Sequence, residues 1–161
     1  AVRAKADEAN RAVIAIRNVK AQLDDRLERS DDRRLVAAGA RLDATASAVE
    51  ADIYQVQNQA GQDPLNYPIK VNNRLANLMS MSERGDGRPG NNMPVIFDIL
   101  VEELRTYTDR MEAIWRSELA GVNSILTGLD LPTIIPTCHR AAGCPLPCWD
   151  CGPWGVMTRR V

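Results

Sequence analysis

Aromatic residues and histidine are scarce in this sequence. Aromatic side chains make up 4% of the 161 residues, with one Phe, and His139 is the single histidine. The core must therefore come from aliphatic side chains, which favours helices packed on helices over a β-sandwich. A di-iron bundle site needs Glu-x-x-His pairs on facing helices, which one histidine cannot supply. Catalysis of the Ser-His-Asp or Cys-His type would depend on His139, which lies outside the helical patterns.

Net charge and long apolar runs are also missing. The 20 basic and 21 acidic residues leave a formal charge of −1, so no overall field favours nucleic acid or an anionic membrane. No apolar run reaches the roughly 18 residues of a membrane span, and no signal-peptide pattern is recognisable. The sequence starts at Ala1, without Met and inside a helical pattern, so we interpret it as a fragment or processed piece of a longer protein. The missing signal pattern therefore does not indicate where that protein resides.

What the sequence does contain is aliphatic residues at alternating steps of three and four. This spacing predicts one helix over 1–29 and a second from its cap at Ser30 to Ala60, with Gly61 just past the end. A short turn between them predicts an antiparallel hairpin, with arms about 40 Å long at 1.5 Å per residue. The stripe positions are Val2, Ala6, Ala9, Val13, Ile16, Leu23 and Leu27, with Lys20 as a break, and then Leu35, Gly39, Leu42, Ala46, Val49, Ile53, Val56 and Ala60.

The stretch GQDPLNYPIKVNNRLANL, residues 61–78, predicts an elbow followed by a short third helix. Asp63 is suited to cap that helix and Pro64 to its first position, while Pro68 requires a kink or a restart near Asn66. We expect the helix to end near Met81. Its apolar face comprises Ile69, Val71, Asn72, Leu75, Ala76, Leu78 and Met79.

Asn72 is the polar residue on that face, and two interpretations are open. A buried amide that bonds to neighbouring groups is the ordinary one, and contact with a ligand is the other.

A fourth, long helix is predicted between a cap at Asn92 and Gly128. The loop before it, SERGDGRPGNN, matches neither the P-loop nor the dinucleotide-binding spacing, so we interpret it as a connector. After the helix, DLPTIIP over 130–136 predicts an extended segment that packs two isoleucines on the bundle. The predicted stripe is Met93, Phe97, Leu100, Leu104, Tyr107, Met111, Ile114, Glu118, Val122 and Ile125. Glu118 lies on it without a second acid at a suitable spacing, so a catalytic carboxylate pair is unsupported.

Together these patterns predict an all-α fold over residues 1–136. It is an antiparallel helical bundle of three long helices and one short helix, followed by an irregular C-terminal tail over 137–161.

The tail differs sharply in composition from the bundle. All four cysteines and the histidine follow residue 137, so a disulfide framework cannot hold the main body. The spacing C-W-D-C resembles that of zinc knuckles and redox sites, but a second C-x2-C pair is missing. Three interpretations stay open: an unstructured or frame-shifted tail, a zinc site, or disulfides. The candidate zinc ligands are Cys138, His139, Cys144, Cys148 and Cys151.

The motif DPLNYPIKVNNRLANL, together with EANRAVIAIRNVKAQLDDRL and YQVQNQAGQ, resembles a known family. It is similar to the C-terminal helical region of bacterial sortilin-like, BNR-repeat β-propeller proteins that carry a glycosyl-hydrolase label. The loop before the last helix is similar too, and the resemblance covers 1 to about 136. The elbow motif comprises Asp63, Pro64, Leu65, Asn66, Tyr67, Pro68, Ile69, Lys70, Val71, Asn72 and Asn73.

The resemblance implies an accessory role and no catalysis by this chain. Family members carry the propeller, with any glycosidase site, upstream of the helical region, so no catalytic residue is transferred to this sequence. The expected partner is that propeller or another helical protein. The alternatives are zinc binding through the tail and a free-standing helical adaptor. The resemblance also implies that the parent protein is exported to the periplasm or the extracellular space.

The zinc hypothesis predicts about one zinc ion per purified chain, because a structural site takes four ligands around one ion. Elemental analysis measures it, with the double variant Cys148→Ser and Cys151→Ser as the control that loses the metal. Protein that carries no zinc after purification in zinc-containing buffer would rule out this site.

Overall fold

The structure, a computed structural model, describes residues 1–57, 66–83 and 92–136. Every regular element in these ranges is helical, which confirms the predicted all-α bundle. Helix continues without a break from Met93 to Gly128, so the bundle has three long helices and one short one. The elements are α1 (Val2–Glu28), α2 (Arg33–Ile53), α3 (Val71–Glu83), α4 (Met93–Ile114), a π-helical turn (Trp115–Leu119) and α5 (Ala120–Gly128).

Polar contacts between helices set their directions. The Nε atom of Arg17 lies 2.6 Å from Oε1 of Glu50, and Lys20 donates to Ser47 at 2.7 Å, so α1 and α2 are antiparallel. Arg110 on α4 pairs with Asp52 near the end of α2 at 2.7 Å. Leu126 of α5 lies in one cluster with Leu35 at the start of α2. Since α4 is antiparallel to α2, it runs parallel to α1. These contacts confirm the hairpin predicted for the first two helices.

The short helix α3 runs antiparallel to α1. Asn72 donates to Asn10 at 2.6 Å, and Arg3 pairs with Glu83 at 3.2 Å, so the end of α3 lies beside the start of α1. α3 packs between α1 and α4 and covers only one half of the bundle. In the other half, the corresponding position between α1 and α5 holds the extended segment 131–136.

The core consists of two aliphatic clusters that meet at the π-helical turn. The first joins α1, α3, α4 and the last turns of α2, and the second joins α1, α2, α5 and Ile134. Ile114 and Trp115 pack against both clusters. Gly39 allows α2 to approach α1, because a Cβ atom there would lie 3.1 Å from Cδ1 of Leu23. The break predicted at Lys20 does not interrupt the core, since Val19 is fully buried.

The cap of α2 is Asp32 and not Ser30, which corrects the prediction. The carboxylate of Asp32 accepts from the backbone N–H groups of Arg34 and Leu35, at 2.8 and 3.2 Å. Ser30 lies two residues earlier, and its hydroxyl accepts from the N–H of Asp32 at 3.3 Å. The serine thus shapes the turn before the helix, while the aspartate satisfies its first free donors.

α2 ends at Ile53, seven residues before the predicted end at Ala60. Tyr54 is extended, with φ −128° and ψ 140°, and its ring lies 5.2 Å below the guanidinium of Arg17. The next side chain, Gln55, is buried and donates to the carbonyl of Pro68 at 2.8 Å. This bond joins the end of α2 to the segment before α3. Val56 is 45% exposed and does not belong to the core stripe, contrary to the prediction.

α3 begins at Val71, later than the elbow motif suggested. Pro68 precedes it in non-helical backbone, and Ile69 is 41% exposed and does not lie on the apolar face. The proline ring and its missing N–H oppose helix across this point. The predicted cap Asp63 with Pro64, and the predicted stop at Gly61, lie outside the described residues. Asn72 is buried and bonded to Asn10, which confirms the ordinary interpretation of its amide.

The π-helical turn corrects the predicted position of Glu118. The turn holds an extra residue, so the buried seam passes from Met111 to Leu119 and continues at Val122 and Leu126. Glu118 is displaced to the side that faces α2, where it accepts from Thr45 Oγ1 at 2.9 Å. A uniform 3.6-residue period therefore predicts the wrong side chain at this level of the helix.

The extended segment also differs from its prediction in one respect. Ile134 is 1% exposed and belongs to the second cluster, whereas Ile135 is 48% exposed. Only one of the two isoleucines therefore packs on the bundle. Among the described helices, none combines the length and the apolar character that crossing a membrane demands.

The cap at Asp32 predicts a pH-dependent stability. The Arg34 guanidinium, together with the N–H groups that start α2, lowers the pKa of Asp32 to about 2. The folded state therefore favours the ionised carboxylate. Its stabilising effect is complete above the ordinary pKa of 3.8 and is lost as the pH falls towards about 2.

We expect Asp32→Ala to lower the melting temperature at pH 7 more than Ser30→Ala does. The difference between wild type and Asp32→Ala should shrink below pH 4. Thermal unfolding followed by circular dichroism between pH 2 and 7 measures both effects. Equal melting temperatures for wild type and Asp32→Ala at pH 7 would show that Asp32 is not the effective cap.

Candidate interaction surface

Four large apolar side chains are exposed at one end of the bundle. They are Met81 near the end of α3, which is 62% exposed, and Val95, Ile96 and Ile99 at the start of α4, which are 60%, 39% and 56% exposed. We call these four residues the apolar end surface. Single exposed apolar residues are common on proteins, but a group of them marks a contact site.

The register of α3 against α4 brings these residues together. Arg74 Nη1 donates to Glu103 Oε2 at 2.6 Å, which pairs the two positions across the seam between the antiparallel helices. Seven residues make about two helical turns. Met81 follows Arg74 by seven residues and Ile96 precedes Glu103 by seven, so they lie at the same level. Ile99 follows Ile96 by three positions and Val95 by four, so it lies one turn along from both.

Tyr107 extends this seam towards the centre of the bundle. Its hydroxyl donates to Glu103 Oε1 at 3.4 Å, while the other oxygen of Glu103 accepts from Arg74. Burial, reinforced by the charge on Glu103, raises the pKa of Tyr107 above its ordinary value. The phenol therefore stays protonated and donates to the carboxylate at neutral pH. Tyr107 thus orients the Glu103 carboxylate from within α4, and the Arg74–Glu103 bond joins α3 to α4 in the register that brings Met81 level with Ile96.

The start of α4 contains more apolar residues than the core can cover. The run MPVIFDILV, residues 93–101, is apolar on nearly every side of the helix. Leu100 is buried, and Met93 and Phe97 pack partly on the first cluster. A bundle helix buries one stripe, so the remaining apolar side chains face outward. This run is the sequence signal for the surface, which the predicted single stripe of Met93, Phe97 and Leu100 does not include.

Exposed charged pairs border the apolar end surface. Arg3 pairs with Glu83 at 3.2 Å, and Arg105 pairs with Glu102, one turn beyond Ile99, at 2.7 Å. Exposed pairs of this kind contribute little to stability. An apolar centre with a charged rim is, however, the usual composition of a protein–protein contact.

A groove lies beside the π-helical turn. This shallow groove of about 290 Å³ is lined by Ala38, Arg41, Ser117, Glu118, Gly121 and Ile125. Nothing lies within 4 Å of a Cβ atom built on Gly121, so the groove floor is open. Its single carboxylate, Glu118, is already bonded to Thr45. Although π-helical turns often occur at functional sites, one engaged carboxylate is not a catalytic pair.

Glu50 is the one buried acidic residue among the described parts of the chain, and it is held between two bases. Arg17 contacts one carboxylate oxygen at 2.6 Å, and Lys20 lies 3.6 Å from the other. Lys20 also donates to Ser47 and lies 3.5 Å from Asp43. A buried charge without such partners would be costly, so this network maintains the α1–α2 contact.

The candidate zinc ligands predicted from the sequence all belong to the C-terminal tail. Cys138, His139, Cys144, Cys148 and Cys151 lie outside the described residues, as does the rest of the predicted tail. Within the ranges that the structure describes, no three His, Cys, Asp or Glu side chains form a group suited to a metal ion. Zinc binding by the tail therefore stays a prediction.

No family model, curated protein or solved structure matches this chain. The resemblance to the helical region of sortilin-like propeller proteins thus rests on the elbow motif and the helix pattern.

The exposure of these side chains predicts that the apolar end surface is dispensable for folding. Ile99→Lys should change the free energy of unfolding by less than about 0.5 kcal/mol, since the site is on the surface. The neighbouring change Leu100→Lys is the matched control, because it places an unpaired charge in the core and should prevent folding or strongly destabilise the protein. Urea unfolding measures both. Strong destabilisation by Ile99→Lys would show that Ile99 belongs to the core.

Proposed function

We propose that this chain is a non-catalytic helical accessory module that packs against another protein domain through the apolar end surface. The observation that supports the proposal is the group formed by Met81, Val95, Ile96 and Ile99, rimmed by charged pairs. These side chains are exposed in the isolated chain, so their apolar area contributes no hydrophobic stabilisation there. Covering them with a partner would recover it at roughly 25 cal/mol per Å² of apolar area.

The proposed partner is a β-propeller joined upstream, as in the family that the sequence resembles. α1 begins at the same end of the bundle as the apolar end surface, since Arg3 pairs with Glu83. A domain attached before α1 would therefore meet this surface directly. Val2 is half-buried against the first cluster, so the start of α1 is already held in place. The geometry favours an intramolecular contact, for which the effective concentration is high.

The absence of catalysis is supported by how the acidic residues are used. Glu50 is neutralised by Arg17 and Lys20, and Glu103 by Arg74. Glycoside hydrolysis needs two carboxyl groups that face one another across a sugar. The carboxylates of Glu50 and Glu103 instead form ion pairs between helices.

A docking experiment tests the proposal. The residues encoded before Ala1 are expressed separately and mixed with this chain, and binding is measured by titration calorimetry. We expect propeller repeats in that upstream sequence and an interaction that Ile99→Asp weakens at least tenfold, because a charge would be buried in the contact.

Val36→Asp is the matched control. Val36 is similarly exposed, at 49%, but it lies at the start of α2 and thus at the opposite end of the bundle. It should leave the affinity unchanged. Equal effects of the two substitutions, or an upstream sequence without propeller repeats, would contradict the proposed contact. Turnover of an aryl glycoside by this chain, purified free of host enzymes, would contradict the non-catalytic role.

A further inference from the structure

The extended segment 131–136 is held in a cleft between α1 and α5 by two side-chain amides. Asn123 on α5 donates to the carbonyl of Ile134 at 2.9 Å and accepts from its N–H at 2.7 Å. Gln22 on α1 donates to the carbonyl of Ile135 at 2.8 Å and accepts from its N–H at 3.1 Å. We call Gln22 and Asn123 the amide clamp. Each amide thus satisfies both backbone groups of one residue.

The pairing follows the geometry of an extended chain. Backbone groups of successive residues in such a chain point to opposite sides. Ile134 therefore bonds towards α5 and Ile135 towards α1, as a strand bonds to a neighbour on each side. Gln22 also donates to Asn18 Oδ1 at 2.6 Å, which orients its amide. Exchanging the amide oxygen and nitrogen would break all of these bonds, so the orientation is determined by the contacts.

Side-chain recognition in this cleft depends chiefly on one residue. Ile134 is 1% exposed and belongs to the second cluster. Leu131 is partly buried and packs against the same cluster. Thr133 and Ile135 face solvent. Arg26 adds one more bond to the backbone, from Nε to the carbonyl of Pro132 at 2.8 Å. Backbone bonds with one apolar anchor are how proteins recognise extended peptides of variable sequence.

The segment is attached through a local hinge and not through a helix. Asp130 has a φ of 55°, a left-handed conformation that aspartate tolerates better than most residues. The N–H of Leu131 then bonds to the carbonyl of Leu126 at 2.9 Å. Among the described residues, α1 and α5 do not approach each other closely. The segment therefore fills a space between two separately supported helices.

We propose that the cleft between α1 and α5 is a binding site for an extended peptide with an aliphatic anchor, which the chain fills with its own residues 131–136. The occupant in trans is a peptide of the same chemistry: an extended backbone free to bond on both sides, with isoleucine at the anchor position. This goes beyond the proposed function and uses a different surface from the apolar end surface.

The binding test uses the full chain in two variants that release the segment. Asp130→Pro fixes φ near −65° and so redirects the chain before the cleft. Ile134→Asp places a charge at the buried anchor position, and the cost of burying that charge should drive the segment out of the cleft. The probe is a fluorescent synthetic peptide, LDLPTIIP, which corresponds to residues 129–136 and is followed by anisotropy. Asp130→Gly is the control, since glycine adopts the native φ and keeps the segment in place.

We expect the peptide to bind both released variants, but neither wild type nor Asp130→Gly. Adding Gln22→Ala and Asn123→Ala to a released variant should weaken binding at least tenfold. In the peptide, replacing the residue equivalent to Ile134 by Ala should do the same, while replacing the exposed neighbour equivalent to Ile135 should have little effect. Failure of the peptide to bind folded released variants, or affinity unchanged by loss of the amide clamp, overturns the proposal.

A second measurement needs no release of the segment. Hydrogen exchange of the full chain should show slow exchange at the N–H groups of Ile134 and Ile135. Asn123→Ala should accelerate exchange at Ile134 at least tenfold, and Gln22→Ala should do so at Ile135, because both altered residues are only half-buried and the helices should persist. Exchange that is unchanged in both variants would show that the amide clamp does not hold the segment, and would overturn the proposal even if the released variants did not fold.

Discussion

The structure depends on the burial of aliphatic side chains along one continuous helical rod, from α4 through the π-helical turn into α5. This rod contributes Leu100, Leu104 and Met111 to one cluster and Val122 and Leu126 to the other. With so few aromatic residues available, the buried residues of the clusters are leucine, isoleucine, valine and alanine, with one methionine. Such side chains stabilise the fold only if the seam stays turned towards its partners. The extra residue of the π-helical turn keeps it there over the full length of the rod.

The fourth position of the bundle is divided between two unlike elements. α3 occupies it beside the start of α1, and the extended segment 131–136 occupies it beside the end of α1. The helix satisfies its own backbone, whereas the extended segment depends on Gln22, Asn123 and Arg26. This difference explains why amide side chains lie on the facing sides of α1 and α5. The two surfaces proposed for binding lie at opposite ends of the bundle, one beside each of these elements.

Much of the fold was predictable from the spacing of aliphatic residues. The hairpin of α1 and α2, the long final helix, its end at Gly128 and the burial of Asn72 all agree with the structure. The spacing of aliphatic residues was less informative where a side chain bonds to a segment outside its own helix. Tyr54 and Gln55 leave α2 early because Gln55 bonds to the carbonyl of Pro68, a contact between residues far apart in the pattern. The apolar end surface was not predicted, because the prediction assigned one buried stripe to residues 93–101, which are apolar on nearly every side of the helix.

The sequence by itself determined that this protein is a helical bundle with an aliphatic core, because steps of three and four residues place apolar side chains on one face of a helix. Only the tertiary structure decided that Leu119 and Leu126, and not Glu118, join Val122 on that face past Met111, since the π-helical turn holds an extra residue. It also decided which apolar residues stay uncovered, and that Gln22 and Asn123, 101 positions apart, hold one extended segment between them. Contacts of this kind depend on the packing of whole helices, which no local pattern records.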